Sequence, residues 1–201
     1  MKTKLIVASH NQGKIKEIKN LLKPFKFKVY SASDFNIAEP KETGKTFIAN
    51  SIIKAMAVAD GSNCLALADD SGLCINSLEG KPGIYSARWA GKYKDFDLAM
   101  KRVEKELNKI PSNSKRIRRA HFCCALTLCY PAGKTISFEG KVFGHLQFPA
   151  RGLNGFGYDP IFIPSGGNKT FSQMDLEEKN KISHRYIAVK KLNDFLVSLF
   201  F

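Results

Sequence analysis

The chain has 201 residues, and its hydrophobic fraction of 44% excludes a wholly disordered protein. Its apolar runs all fall short of the ~18 residues that span a bilayer, and the N-terminus lacks the features of a signal peptide, so we expect a cytoplasmic protein without a membrane partner. Five cysteines without a CxxC spacing argue against a disulfide framework and against a structural zinc site.

The first half of the chain alternates predicted strands and helices. Lys4–Ala8 is predicted to be a short buried strand, and a helix is expected soon after it from the spacing of Ile15, Ile18, Leu21 and Leu22. Phe47–Ala59 is predicted to be a second helix. Cys64–Ala68 reads as a buried strand that ends at two aspartates.

The second half is richer in strands. A third helix is predicted over Leu98–Leu107. Ala120–Tyr130 and Thr135–Phe143 are predicted strands joined by a Pro-Ala-Gly turn, and Ile182–Phe200 is the predicted last helix. This order of elements indicates a mixed α/β protein with a central cleft, and the length permits one large domain or two small ones.

The first motif with chemical content is SHNQGK, over Ser9–Lys14. It lies between a predicted strand and a predicted helix, where backbone amides attract phosphate and a lysine adds positive charge. The pattern GxxxxGK[ST] is absent, so this is not a Walker A loop. A plain strand-to-helix turn with an asparagine cap explains the same residues.

The second motif is Asp69-Asp70-Ser71-Gly72. Carboxylate oxygens are preferred ligands of magnesium, and a carboxylate beside a magnesium-bound water can activate that water. Side chains alternate along a strand, so the two aspartates need not face the same side. An Asx-turn at the end of a strand is the alternative interpretation.

The third motif is GLNGFGYD, over Gly152–Asp159. Three glycines among aromatic residues favour a loop whose backbone lies against a flat ligand, such as a nucleotide base. A structural turn is the alternative.

The fourth motif is DLEEKNKISHR, over Asp175–Arg185. Asp175 and Glu178 fit a capping box, and Ser183 fits the N-cap of the last helix. His184 and Arg185 then lie at the positive end of that helix, a placement that favours an acceptor-rich ligand, although a solvated arginine is the alternative.

Taken together, these motifs resemble the inosine/xanthosine triphosphate pyrophosphatase family. The resemblance covers the chain from Leu5 to about Leu192, and its most specific segments are ADDSGL, GIYSARWAG and GFGYDPIF. It implies a single domain over residues 1–201 with an elongated α/β fold, a mixed sheet, and two lobes flanking a deep substrate cleft. It also implies a homodimer that uses Mg²⁺ to hydrolyse ITP, dITP and XTP to monophosphates and pyrophosphate.

The resemblance assigns the phosphate and metal chemistry to the first half of the chain. Asp70 matches the proton acceptor that activates water and is also an expected metal ligand, together with Asp69 and Glu42, for which Glu39 is the alternative. Lys54 in NSIIKA matches a second phosphate-binding lysine. The expected triphosphate loop consists of Ser9, His10, Asn11, Gln12, Gly13 and Lys14.

The remaining substrate contacts are implied by three later segments. Arg185 or His184 would donate to the C6 keto oxygen of hypoxanthine or xanthine, which adenine lacks. The residues implied to bind the substrate in these segments are Ser71, Phe156, Gly157, Tyr158, Asp159, Lys179, His184 and Arg185. The sequence departs from the family pattern at His10 and Asn154, where glycine is common, and at Phe171-Ser172-Gln173.

Two rival functions fit parts of the same sequence. A Maf-like pyrophosphatase would share the reaction but prefer modified or pyrimidine nucleotides. The net charge of +14 and the basic cluster Lys115–Arg119 would also suit a nucleic-acid-binding module, although the same charge can steer a small polyanion into a cleft. The resemblance favours a small nucleoside triphosphate as the partner and no stable nucleic acid.

Overall fold

The computed structural model describes residues 3–111 and 115–198. Its six strands are β1 Thr3–Ala8, β2 Phe27–Ser31, β3 Leu65–Ile75, β4 Arg119–Cys129, β5 Thr135–Leu146 and β6 Phe162–Pro164. Its helices are α1 Gln12–Leu21, α2 Phe47–Ser62, α3 Ser86–Trp89, α4 Phe96–Asn108, α5 Leu176–Asn180 and α6 His184–Ser198. Within the described ranges, no helix is long and apolar enough to cross a membrane.

The strands form one mixed sheet in the order β2-β1-β3-β4-β5-β6. β1 pairs in parallel with β2 on one side and with β3 on the other, whereas β5 and β6 are antiparallel. The predicted mixed α/β class is therefore confirmed.

The chain divides into two compact units, each with its own core. The first comprises residues 1–70, 124–140 and 185–201, and the second comprises residues 71–123 and 141–184. The core of the second unit includes Leu73, Val103, Phe122, Phe162 and Phe171.

In the first unit, the two faces of the parallel strands pack against different helices. Leu5 and Val7 of β1 belong to one apolar cluster with residues of α1 and α6, and Ile6 and Ala8 belong to another with residues of α2. Successive side chains of a strand point to opposite faces, so alternate residues of β1 pack against the helices on opposite faces of the sheet.

Several predicted boundaries differ from those of the structure: α2 continues past Ala59 to Ser62 and β5 past Phe143 to Leu146, and two further differences bear on the site. β3 does not end before the two aspartates but continues through them to Ile75, because both carboxylates are buried with hydrogen-bonding partners and do not need a solvated turn. The last helix begins at His184 rather than Ile182 and ends at Ser198, and the predicted extension to Phe200 lies outside the described residues. The predicted Asp175–Glu178 capping box is confirmed, at the start of the short helix α5.

Candidate active site

The chain reverses its direction of winding at β1. From β1 it passes through α1 to β2 on one side, and then through α2 to β3 on the other side. In open α/β sheets, ligands bind beyond the carboxyl ends of the strands at such a switch point. Ala8 lies opposite Ala68 in the register, so the loop after β1 begins beside Asp69 and Asp70.

The Ser9–Lys14 segment forms the start of α1. The Oδ1 atom of Asn11 accepts the Lys14 N–H at 3.2 Å, and the Asn11 N–H donates to the Ser9 hydroxyl at 3.1 Å. Asn11 therefore caps α1, as one interpretation of the sequence predicts. The cap fixes the backbone of the loop at the positive end of a ten-residue helix.

Asp69 points to the face of the sheet covered by α1 and α6. Its Oδ1 atom lies 2.7 Å from Lys14 Nζ, and its Oδ2 atom accepts from Arg185 Nε at 2.8 Å and from Cys124 Sγ at 3.0 Å. The Arg185 guanidinium also forms an ion pair with Glu17 of α1.

The cations around Asp69 keep it ionised. Burial raises the pKa of this carboxyl, but the charges of Arg185 and Lys14 outweigh burial and hold the pKa well below its usual range. Burial, followed by the Asp69 charge, raises the pKa of the Cys124 thiol well above its usual range, so the thiol stays protonated and donates to Asp69.

Asp70 points to the opposite face of the sheet, which α2 covers. Lys54 Nζ lies 2.8 Å from Asp70 Oδ1 and 2.8 Å from Glu42 Oε1, so one ammonium bridges the two carboxylates. The Nδ2 atom of Asn50 donates to Asp70 Oδ2 at 3.3 Å.

The pKa of Asp70 is shifted opposite to that of Asp69. Burial raises the pKa of Asp70 above its usual value even though Lys54 and Lys14 lower it. Burial lowers the pKa of Lys54, but Asp70 and Glu42 outweigh that effect and raise it. Two carboxyls with pKa values moved apart by their surroundings are typical of a site where one fixes geometry and the other exchanges protons.

The oxygen donors around Lys54 suit a hard divalent cation. Glu42 and Asp70 converge on the Lys54 ammonium, and carboxylates combined with water are the usual ligands of Mg²⁺. Glu39, the alternative ligand, is exposed and lines a small depression with His10 and Lys54. Within the described parts of the chain, no group of three or more His, Cys, Asp or Glu residues is arranged to hold a metal.

The GLNGFGYD loop belongs to the second unit. Phe156 is its half-buried aromatic residue, whereas Tyr158 is buried, donates its hydroxyl to the Ser86 carbonyl at 3.0 Å and packs edge-on against Phe96. Burial raises the pKa of Tyr158, which keeps this hydroxyl a donor. Tyr158 therefore supports the loop from the core side.

Asp159 and Lys179 form a buried ion pair behind the same loop. Asp159 Oδ2 accepts from Lys179 Nζ at 2.5 Å and from the Phe156 N–H at 2.9 Å, and Lys179 Nζ lies 5.0 Å from the centre of the Phe156 ring.

The His184 ring stacks on Phe122 at a centroid distance of 4.9 Å. Ser71 is half-buried, and the base contacts expected of these residues stay predictions.

The sequence model of the Ham1 family matches residues 5–195. This chain belongs to the Ham1 family. A protein of Zymomonas mobilis named dITP/XTP pyrophosphatase is 50% identical over 94% of this chain and 90% of its own length, and one of Rhodospirillum centenum with the same name is 49% identical over 94% and 92%.

Solved structures of Ham1 proteins have the same fold. A Ham1 protein from Coxiella burnetii aligns with a TM-score of 0.87 and 35% identity over 98% of this chain and 99% of that one. The Staphylococcus aureus Ham1 protein aligns with a TM-score of 0.82 and 40% identity over 97% and 98%. The family resemblance inferred from the sequence motifs is therefore confirmed.

The predicted site residues of this Ham1 protein form several contacts with one another. Lys14 meets Asp69, and Lys54 meets both Glu42 and Asp70. Arg185 forms a buried ion pair with Asp69. The contact of Arg185 with the base stays a prediction.

Among the residues that the structure describes, the aspartates or their partners also contact side chains that were not predicted as site residues, namely Glu17, Asn50 and Cys124. Signals were present for Glu17, which lies three residues after Lys14 on the buried face of α1, and for Asn50, which lies four residues before Lys54 on the buried face of α2.

Proposed function

We propose that this protein hydrolyses dITP, XTP and ITP to the nucleoside monophosphate and pyrophosphate. The relatives named dITP/XTP pyrophosphatase, about half identical over most of their length, support this substrate class. The observation that carries the proposal is Asp70, a buried carboxylate of raised pKa that shares one lysine with Glu42 beside a capped helix N-terminus.

Asp70 acts as the proton acceptor in this proposal. A water molecule attacks the α-phosphorus, its proton passes to Asp70, and pyrophosphate leaves. A carboxylate with a raised pKa is a better base at neutral pH than an ordinary aspartate.

Glu42 and Asp70 would hold the Mg²⁺, and Asp69 is a third predicted ligand. When bound, the ion would neutralise charge on the phosphates and the leaving group. Asp69 already accepts from Lys14, Arg185 and Cys124, so its direct binding to a metal requires rearrangement of those contacts.

The Ser9–Lys14 segment and Lys54 bind the triphosphate. Helix N-termini and lysine ammonium groups stabilise phosphate oxygens, and they do so most strongly as charge moves to the leaving group. Asp69 fixes Lys14 by its 2.7 Å ion pair, which keeps that ammonium at the start of α1.

Ser71, the segment Phe156–Asp159, Lys179, His184 and Arg185 bind the base and the remainder of the nucleotide, as the family resemblance implies. A donor to the C6 keto oxygen selects inosine and xanthosine over adenosine, since adenine carries an amino group there and leaves the donor unpaired. The protein acts as one functional domain in a cytoplasmic homodimer, with no stable nucleic-acid partner.

Product analysis separates this reaction from other triphosphate hydrolysis. ³¹P NMR of ITP incubated with the enzyme and Mg²⁺ is expected to show pyrophosphate and monophosphate as the first products. Diphosphate and inorganic phosphate as first products would contradict attack at the α-phosphorus.

A further inference from the structure

Asn50 is a completely buried polar residue on α2. It lies one helical turn before Lys54, and residues four apart share a helix face. Asn50 and Lys54 therefore both face Asp70, although only the lysine carries a charge.

The Asn50 amide connects two parts of the chain. Its Oδ1 atom accepts the Gly44 N–H at 2.8 Å, and its Nδ2 atom donates to Asp70 Oδ2 at 3.3 Å. Gly44 N–H can only donate, so it fixes Oδ1 toward the loop and leaves the NH₂ group facing the carboxylate. The amide thus has one orientation that satisfies both neighbours.

The segment containing Glu42 lies directly against this amide. A β-carbon on Gly44 would be 2.6 Å from Asn50 Oδ1 and 2.7 Å from the Ala49 β-carbon, so only glycine lets the backbone approach this closely. Glu42, two residues earlier, reaches the Lys54 ammonium that Asp70 also contacts.

We propose that Asn50 is a positioning residue. Its single amide group holds both Asp70 and the segment containing Glu42 at contact distance from Lys54. The inference rests on the proposed function, since it gives these two carboxylates their purpose. Asn50 acts on the reaction through Asp70 and Glu42.

An amide suits this position better than a charged group. Asp70 and Glu42 already share one ammonium, and a third carboxylate would repel Asp70 and remove the donor to its Oδ2 atom. An apolar residue would leave the half-buried Gly44 N–H and the buried Asp70 Oδ2 without this partner, and an unsatisfied buried group is destabilising.

Two variants test the two hydrogen bonds of Asn50 separately. Asn50→Asp keeps an acceptor for Gly44 N–H but loses the donor to Asp70, whereas Asn50→Leu loses both. Ser51→Ala is the matched control, because Ser51 is equally buried on α2 but bonds to Thr127 and the Ile48 carbonyl. The measurements are kcat and KM for ITP, and amide hydrogen exchange at Gly44 by NMR, with Ala49 as the internal reference.

Both Asn50 variants are expected to lower kcat by about 10- to 100-fold, the usual range when a side chain that orients a functional ligand is removed, and to change KM less than kcat. Gly44 exchange should accelerate in Asn50→Leu and stay near the wild-type rate in Asn50→Asp, while Ala49, bonded to Thr46, keeps its protection. Ser51→Ala should retain kcat.

Near-normal kcat in Asn50→Asp, an equal loss in Ser51→Ala, or unchanged Gly44 exchange in Asn50→Leu would each overturn the proposal. If Asn50→Leu does not fold, the isosteric Asn50→Asp variant still decides through kcat. Wild-type enzyme that releases no pyrophosphate from ITP refutes the proposed function instead, and Gly44 exchange still tests the contact with Asn50.

Discussion

Asp69 and Asp70 are adjacent in sequence and differ in charge environment because β3 turns successive side chains to opposite faces. Asp69 forms ion pairs with both Lys14 and Arg185, whose charges outweigh its burial, whereas burial prevails over the charge of Lys54 at Asp70. One strand thereby supplies one carboxyl with a lowered pKa, which stays ionised at neutral pH, and one with a raised pKa, which is better able to accept a proton.

Asp70→Asn is expected to lower kcat for ITP by at least about 100-fold, because the amide cannot accept the proton from water. Asp60→Asn, an exposed change at the end of α2, is the control and should keep full activity. Wild-type-like turnover by Asp70→Asn in a steady-state pyrophosphate assay would remove Asp70 from the proton-acceptor role.

The raised pKa of Asp70 should be visible in the metal-free protein. Burial moves this pKa above the ordinary 3.8, so the carboxyl should take up its proton as the pH falls through the raised value. The check is a pH titration in EDTA followed by NMR of the ¹³C-labelled aspartate carboxyls, with Asp70→Asn to assign the signal. A midpoint at or below 3.8 would contradict the assignment.

Arg185→Ala should reduce stability by about 3–5 kcal/mol, because it leaves the buried carboxylates of Asp69 and Glu17 without their shared cation. The wild-type contribution is present above the ordinary Asp69 pKa of 3.8 and is lost as the pH falls toward the lowered value. Urea unfolding at pH 7 measures the loss, with the exposed Arg151→Ala as control. A loss no greater than that of the control would show that the pair is not stabilising.

At the scale of elements, β3 continues past the aspartates into the second unit, where Gly72 packs tightly. A β-carbon there would clash with the Gly83 carbonyl and the Ser86 hydroxyl and lie 3.0 Å from the Ser86 β-carbon. Gly72→Ala should therefore cost about 1–3 kcal/mol by overpacking. Gly167→Ala, with its nearest neighbouring atom 3.4 Å away, is the control, and equal urea midpoints for both variants would refute this packing argument.

Periodicity predicted the elements whose apolar spacing is strong. β1, α1, α2, α4, β4 and β5 all occur near their predicted positions. β2 was missed because lysine occupies one of its five positions, only Ser31 is fully buried, and the strand lacks a continuous apolar run. β3 was ended too early because aspartate disfavours strands in general, and the partners that make it acceptable there come from α1, α2 and α6.

The candidate site was only partly predictable, because the partners of the motif residues come from distant parts of the chain. The motifs singled out Lys14, Asp69 and Asp70 locally. The Arg185–Glu17 pair joins residues 168 positions apart, and the Asn50–Asp70 bond spans 20 positions, so no local pattern contains either contact. Long-range pairing of this kind follows from the sheet order and becomes visible only in the fold.

For the whole molecule, removal of divalent cations should abolish turnover and leave the fold intact. The buried clusters of the site already contain lysine and arginine partners, so the structure does not need a metal to balance Asp69 and Asp70. EDTA should stop pyrophosphate release without shifting thermal unfolding followed by fluorescence of Trp89, the single tryptophan. Full activity in EDTA would refute the metal requirement.

The proposed substrate class is tested by kcat/KM for pyrophosphate release across ITP, dITP, XTP, ATP, GTP, CTP and UTP, with and without Mg²⁺. We predict efficient Mg²⁺-dependent turnover of ITP, dITP and XTP. The C6 keto preference alone should disfavour ATP by roughly 5- to 150-fold, the equivalent of about 1–3 kcal/mol for one unsatisfied buried donor. Equal turnover of ATP and ITP, or no pyrophosphate from any of the seven nucleotides, would contradict the account.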